Sequence, residues 1–69
     1  MVDHSVELKL SRRQRQVAKL VAEAKSNKLI AHELGLTYGT VKQYLYQLYG
    51  KIGVDNRTGL ALWAREHLE

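Results

Sequence analysis

Three residues, Gly35-Leu36-Thr37, separate two helical patterns, and so short a connection constrains the fold more than any other feature of the chain. Downstream of it, Val41, Leu45, Leu48 and Ile52 recur at spacings of four, three and four, which places them on one stripe of a helix. Thr37 caps that helix, because its hydroxyl can accept from a free backbone N–H two or three residues on. Upstream, Ser26 opens a shorter helix with Leu29, Ile30 and Leu34 facing inward. Gly35 stops it in the left-handed conformation that glycine tolerates. Gly53 ends the longer helix, and Val54 plugs the core beneath the following turn.

The same punctuation divides the rest. Ser11 with Gln14 three residues later is a capping box of the Ser-x-x-Gln kind, with Leu10 as part of a hydrophobic staple. Val17, Leu20, Val21 and Ala24 then form the stripe of a first helix that runs through Ala24. Asn56 caps a fourth helix over Arg57–His67. Alternation over Tyr44–Tyr49 is weak beside the helical stripe and cap around it, so no strand is expected. Met1–Leu8 has no clear period and reads as a lead-in. The expectation is an all-α fold of four helices, one domain over residues 1–69 with its folded part at about 9–67. Its second and third helices make a helix-turn-helix, with the third in the recognition position.

Composition removes several classes of function. Without cysteine there is no disulfide and no thiolate metal site. His4, His32 and His67 lie far apart with no carboxylate at ligand spacing, so neither metal nor other cofactor is expected. No Gly-rich phosphate loop and no Ser, His and acid grouping is present, and 69 residues are too few for a deep substrate pocket; the chain does not read as an enzyme. No apolar run approaches the roughly 20 residues that span a bilayer. No signal peptide is visible, which makes the cytoplasm the expected place. A formal charge of +4 and a pI of about 9.6 are compatible with nucleic acid but do not single it out.

The face of the third helix is more specific. Opposite its apolar stripe stand Gly39, Lys42, Gln43, Tyr46, Gln47 and Gly50, with no carboxylate. One cation with amides and a phenol suits an anionic surface with hydrogen-bonding edges, such as the major groove of DNA. Lys42 can donate to guanine O6 or N7, Gln43 can pair with adenine N6 and N7, and Tyr46 offers a ring to a thymine methyl. Gln47 lies at the edge of this face. Near the first helix, Lys9, Arg12, Arg13, Arg15 and Lys19 have no acid among them. Cations at a helix N-terminus oppose the macrodipole, and backbone phosphates met by Arg12 and Arg13 would explain the placement.

Together the segments L-S-R-R-Q-R-Q-V (Leu10–Val17), S-N-K-L-I-A-H-E-L-G-L (Ser26–Leu36), T-V-K (Thr40–Lys42), K-I-G-V (Lys51–Val54) and N-R-T (Asn56–Thr58) resemble the LuxR-type, GerE-like DNA-binding domain that also ends the NarL/FixJ response regulators. The resemblance covers about Leu10 to Ala64. It implies double-stranded DNA as partner, with groove-facing positions at Lys42, Gln43 and Tyr46 and phosphate-facing positions at Asn27, Lys28, Thr40 and Lys51. It also implies pairing of two copies through helix four. There Leu60–Ala64 is five apolar residues in a row, more than one inward face uses, so Leu60, Trp63 and Ala64 are expected at a weak homodimer interface.

This chain departs from the family's pattern at several positions. Acids usual in the family are replaced by Gln14, Gln16, Leu29, Gly50 and Gly59. Ala24 stands where a glycine is usual, and Tyr44 where a histidine often follows. Gly50 should cost the third helix about 1 kcal/mol relative to alanine and loosen its last turn. Gly59 removes the acidic half of a capping box at Asn56. The resemblance further implies an N-terminal receiver or ligand-binding domain, which this sequence does not include; the chain reads as an excised fragment or a stand-alone regulator. The competing reading is a helical protein-interaction module with the same fold and no DNA binding.

Overall fold

The computed structural model describes residues 9–68. The lead-in expected at Met1–Leu8 lies outside them. Four helices follow one another: α1 Arg12–Ala22, α2 Asn27–Leu34, α3 Tyr38–Ile52 and α4 Arg57–His67. No strand occurs among the described residues.

Each helix begins where its cap predicts. The Ser11 hydroxyl accepts from the Gln14 N–H at 3.0 Å, and Gln14 Oε1 accepts from the Ser11 N–H at 2.9 Å, completing the capping box. Ser26, Thr37 and Asn56 accept from the backbone N–H three residues on, at 3.1, 3.1 and 2.8 Å. Asn56 does so alone, since the first turn of α4 holds no acid.

The ends of the first three helices share a motif in which the amide beyond a left-handed residue reaches back over the last turn. Leu36 N–H donates to the Ala31 carbonyl at 2.9 Å around Gly35, and Val54 N–H to Tyr49 at 3.1 Å around Gly53. α1 ends the same way, with Lys25 N–H on the Leu20 carbonyl at 3.2 Å, but the left-handed residue is Ala24, at φ +65°. The expected continuation of α1 through Ala24 is therefore corrected. The helix stops at Ala22, and Ala24 is exposed in the turn, where a Cβ is disfavoured.

α1 is the keel. It packs most extensively on α4, and also on α3, while α3 and α4 touch each other little. α2 leans on α3 across the short turn. Val17, Val21, Ile30, Val41, Leu48 and Leu60 are the largest fully buried side chains. On α2 the inward residues are Ile30, Ala31 and Leu34; Leu29, expected inward, is 41% exposed because it lies about 100° around the helix from Ile30. α3 runs unbroken past Gly50 to Ile52. No helix among the described residues is long and apolar enough to cross a membrane.

Candidate nucleic-acid interface

The turn between α2 and α3 sets the outer side of α3 free. Val41, Leu45 and Leu48 bury the inner side, and Gly39, Lys42, Gln43, Tyr46, Gln47 and Gly50 are all exposed opposite them. A 15-residue helix is roughly 22 Å long, and this one has no acid anywhere along it. The acids nearest the turn are otherwise engaged. Lys25 Nζ donates to Glu33 at 3.0 Å and stands 3.4 Å from Glu23. Glu33, and then Glu23, raise the Lys25 pKa above its ordinary value.

Both ends of this face have basic shoulders. At the N-terminal end, Ser26, Asn27, Lys28, Tyr38 and Arg57 line an open cleft of about 520 Å³. Arg57 reaches back from α4 to donate to Asn27 Oδ1 and to the Lys25 carbonyl. Asn27 is thus held in place, while Lys28 is exposed. At the C-terminal end, the buried Gln14 of α1 joins two residues of α3. Its Nε2 donates to Gln47 Oε1 at 3.1 Å, and its Oε1 accepts from Lys51 Nζ at 3.2 Å. Lys51 also donates to the Lys9 carbonyl at 3.4 Å. An acid at position 14 would pair with Lys51 but would have no N–H for Gln47.

The residues named from sequence fall into three groups. Lys42, Gln43 and Tyr46 share the exposed side of α3. Thr40, half-buried, accepts from the Thr37 hydroxyl at 2.9 Å and lines a notch of about 150 Å³ with Gln43, Tyr44 and Gln47. Arg12 is exposed, whereas Arg13 Nη1 donates to the Leu34 carbonyl at 3.5 Å, closing the end of α2. The helix-four residues need correction. Leu60 and Ala64 are 0% exposed and belong to the core, so neither can form a surface between two copies. Positions four apart on α4 both point at α1. Trp63 is half-buried and stacks on His67 with ring centres 4.7 Å apart. The apolar residue left outside is Leu62, at 54% exposure.

Sequence reasoning missed Tyr38, Arg57 and the linking role of Gln14. Tyr38 reads as the start of a helix, yet it lies on the stripe of Lys42 and Tyr46, at i, i+4 and i+8, and that spacing was a usable signal. Arg57 and Gln14 act across distances in sequence that no local pattern carries.

Residues 8–64 match the family described as bacterial regulatory proteins, luxR family. The chain belongs to the luxR family. The matched stretch takes in the helix-turn-helix of α2 and α3. This luxR-family domain is 50% identical over 54 residues to the two-component response regulator PprB of Pseudomonas aeruginosa, covering 78% of the chain and 20% of the relative. It is 40% identical over 60 residues to the transcriptional regulatory protein LiaR of Bacillus subtilis, covering 86% of the chain and 28% of that relative. Against DesR, a transcriptional regulatory protein of the same organism, the figures are 42% over 48 residues, 70% and 24%. The luxR-family domain therefore spans about a quarter of the length of these curated relatives.

Proposed function

We propose that this domain reads DNA sequence by setting the outer side of α3 into the major groove of a duplex. The observation that carries the reading is the exposed side of α3, which holds a lysine, two amides and a phenol and no carboxylate. Lys42, Gln43 and Tyr46 meet base edges. Asn27, Lys28 and Thr40 meet backbone phosphates at the α2 end. Lys51, Arg12 and Arg13 serve the α1 end, where phosphates compete with the internal partners of Lys51 and Arg13. Two copies occupy a two-fold site as a weak dimer, joined through the outward residues of α4, Leu62 and Trp63. The domain works on the nucleoid in the bacterial cytoplasm, as the output end of a longer regulator. The description of PprB as a response regulator supports that last step.

The test is site selection from random duplexes at fixed salt, run in parallel on the parent, Gln43→Ala and Lys28→Ala. Gln43→Ala should relax selectivity at one base position, a loss of about 1–3 kcal/mol of discrimination, and leave non-specific binding nearly unchanged. Lys28→Ala should weaken binding to every sequence and reduce the slope of log K against log salt by about 1. If Gln43→Ala returned the parent's sequence preference, Gln43 would not be a reader. Association with a protein, indifferent to salt and to DNA, would favour the interaction-module reading.

A further inference from the structure

We infer that Tyr38 is a positioning residue for base readout, holding the Lys42 ammonium in the place from which it reads. The inference rests on the DNA-binding reading above and deepens it. Lys42 Nζ lies 5.7 Å from the centre of the Tyr38 ring. Tyr38 is the first residue of α3 and is 54% exposed, so the ring has no duty in the core. Helical side chains lean toward the N-terminus, and a ring four residues before a lysine is placed to catch its ammonium. Among the described residues Lys42 has no carboxylate within ion-pair distance. Without the ring its four-carbon stem would sample many rotamers, and an unheld lysine acts as a diffuse positive charge rather than a reader.

Two other side chains of this face are held as well, by different contacts. The Tyr46 ring meets Tyr49 edge-on, with centres 6.3 Å apart, and Gln47 is bonded by Gln14. Tyr38 does for Lys42 what Tyr49 and Gln14 do for these. It also borders the cleft of Ser26, Asn27, Lys28 and Arg57, so the same ring stands between the phosphate-facing shoulder and the first reading side chain.

Two substitutions separate the ring from the hydroxyl. Tyr38→Phe keeps the ring face, and Tyr38→Ala removes it; neither touches the core. In the free domain, the Lys42 side-chain CH₂ protons should show an upfield ring-current shift in the parent and in Tyr38→Phe, and lose it in Tyr38→Ala. In site selection, Tyr38→Ala should flatten the same base position that Lys42→Ala flattens, by about two- to fivefold in preference, the strength of an exposed cation–π contact. The position lost in Gln43→Ala should stay sharp, and Tyr38→Phe should keep the parent's preference. An unchanged preference in Tyr38→Ala overturns the inference alone, as does its loss in Tyr38→Phe. A parent that selects no sequence overturns both this inference and the DNA reading beneath it.

Discussion

α3 and α4 both dock on α1, and each keeps one side for the core and one for the outside. In α3 the two sides differ in chemistry: Val41, Leu45 and Leu48 inside, amides, a lysine and a phenol outside. In α4 the sides are alike, since Leu60–Ala64 is apolar at every position. The structure still sorts that run sharply, with Leu60 and Ala64 buried, Ala61 and Trp63 half-buried, and Leu62 exposed. A helix announces its orientation only where its residues contrast. Where they do not, the partner helix decides, and α1 chose positions 60 and 64 by geometry alone.

The largest expected effect tests that sorting directly. Leu60→Ala opens a cavity in the centre of the core and should destabilise the domain by about 2–5 kcal/mol. For a chain of 69 residues that is most of the margin, and circular dichroism should find the variant largely unfolded at moderate temperature. Leu62→Ala, the same chemical change two residues on, should fall within about 0.5 kcal/mol of the parent in urea unfolding. Equal losses would mean that α4 is rotated on α1.

How much was legible follows the same rule of contrast. Ser11, Ser26, Thr37 and Asn56 stand out as caps against their surroundings, and each helix starts beside its cap. Gly35 and Gly53 likewise mark left-handed ends. Ala24 occupies an equivalent end without glycine, so nothing in its residue type disclosed the stop; hydrogen bonds from Ala24 and Lys25 back to Val21 and Leu20 impose it. That Lys42, Gln43 and Tyr46 point outward was readable because a polar stripe faces an apolar one. Leu29 misled because it sits beside Ile30, and a local apolar pair does not say which member points in. The links from Gln14 to α3 and from Arg57 to α2 span 33 and 30 residues, beyond any sequence period.

A smaller effect sets two glycines against each other. Gly50 lies in the last turn of α3 and Gly59 in the first turn of α4, both with helical backbone. Propensity alone gives each the same gain on Gly→Ala, about 1 kcal/mol. At Gly50 a new Cβ meets nothing within 4 Å, so Gly50→Ala should stabilise the domain by that amount in thermal unfolding. At Gly59 the Cβ would stand 3.1 Å from Val54 Cβ, and a half-buried β-branched residue cannot swing aside as a flexible chain would. Gly59→Ala should gain little or lose. The same tight contact bears on the missing acid at this position, because any side chain there needs Val54 to give by a few tenths of an ångström. If both variants gained alike, the packing beneath the N-terminal turn of α4 would be looser than the structure has it.

The smallest effect on stability is expected where two outward residues are exchanged, Gln43 on α3 and Leu62 on α4. Neither supports the core, so Gln43→Ala and Leu62→Ser should both melt within a few degrees of the parent. Their readouts on DNA should nevertheless part. On the proposed docking Gln43 meets a base edge, so its loss should change which sequences are selected at a single half-site and leave the relation between half-sites alone. Leu62 is exposed on α4, and its apolar surface can be covered only by another molecule. One helix of 11 residues buries too little area for a dimer that holds at low concentration, so the proposed pairing would be confined to copies already aligned on DNA. Leu62→Ser should therefore leave binding to an isolated half-site intact and reduce the advantage of two correctly spaced half-sites over one. Titration of single and paired sites at one salt concentration measures both. If Leu62→Ser left that advantage unchanged, α4 would serve the core alone, and the division of labour between the two helices would lose its second half.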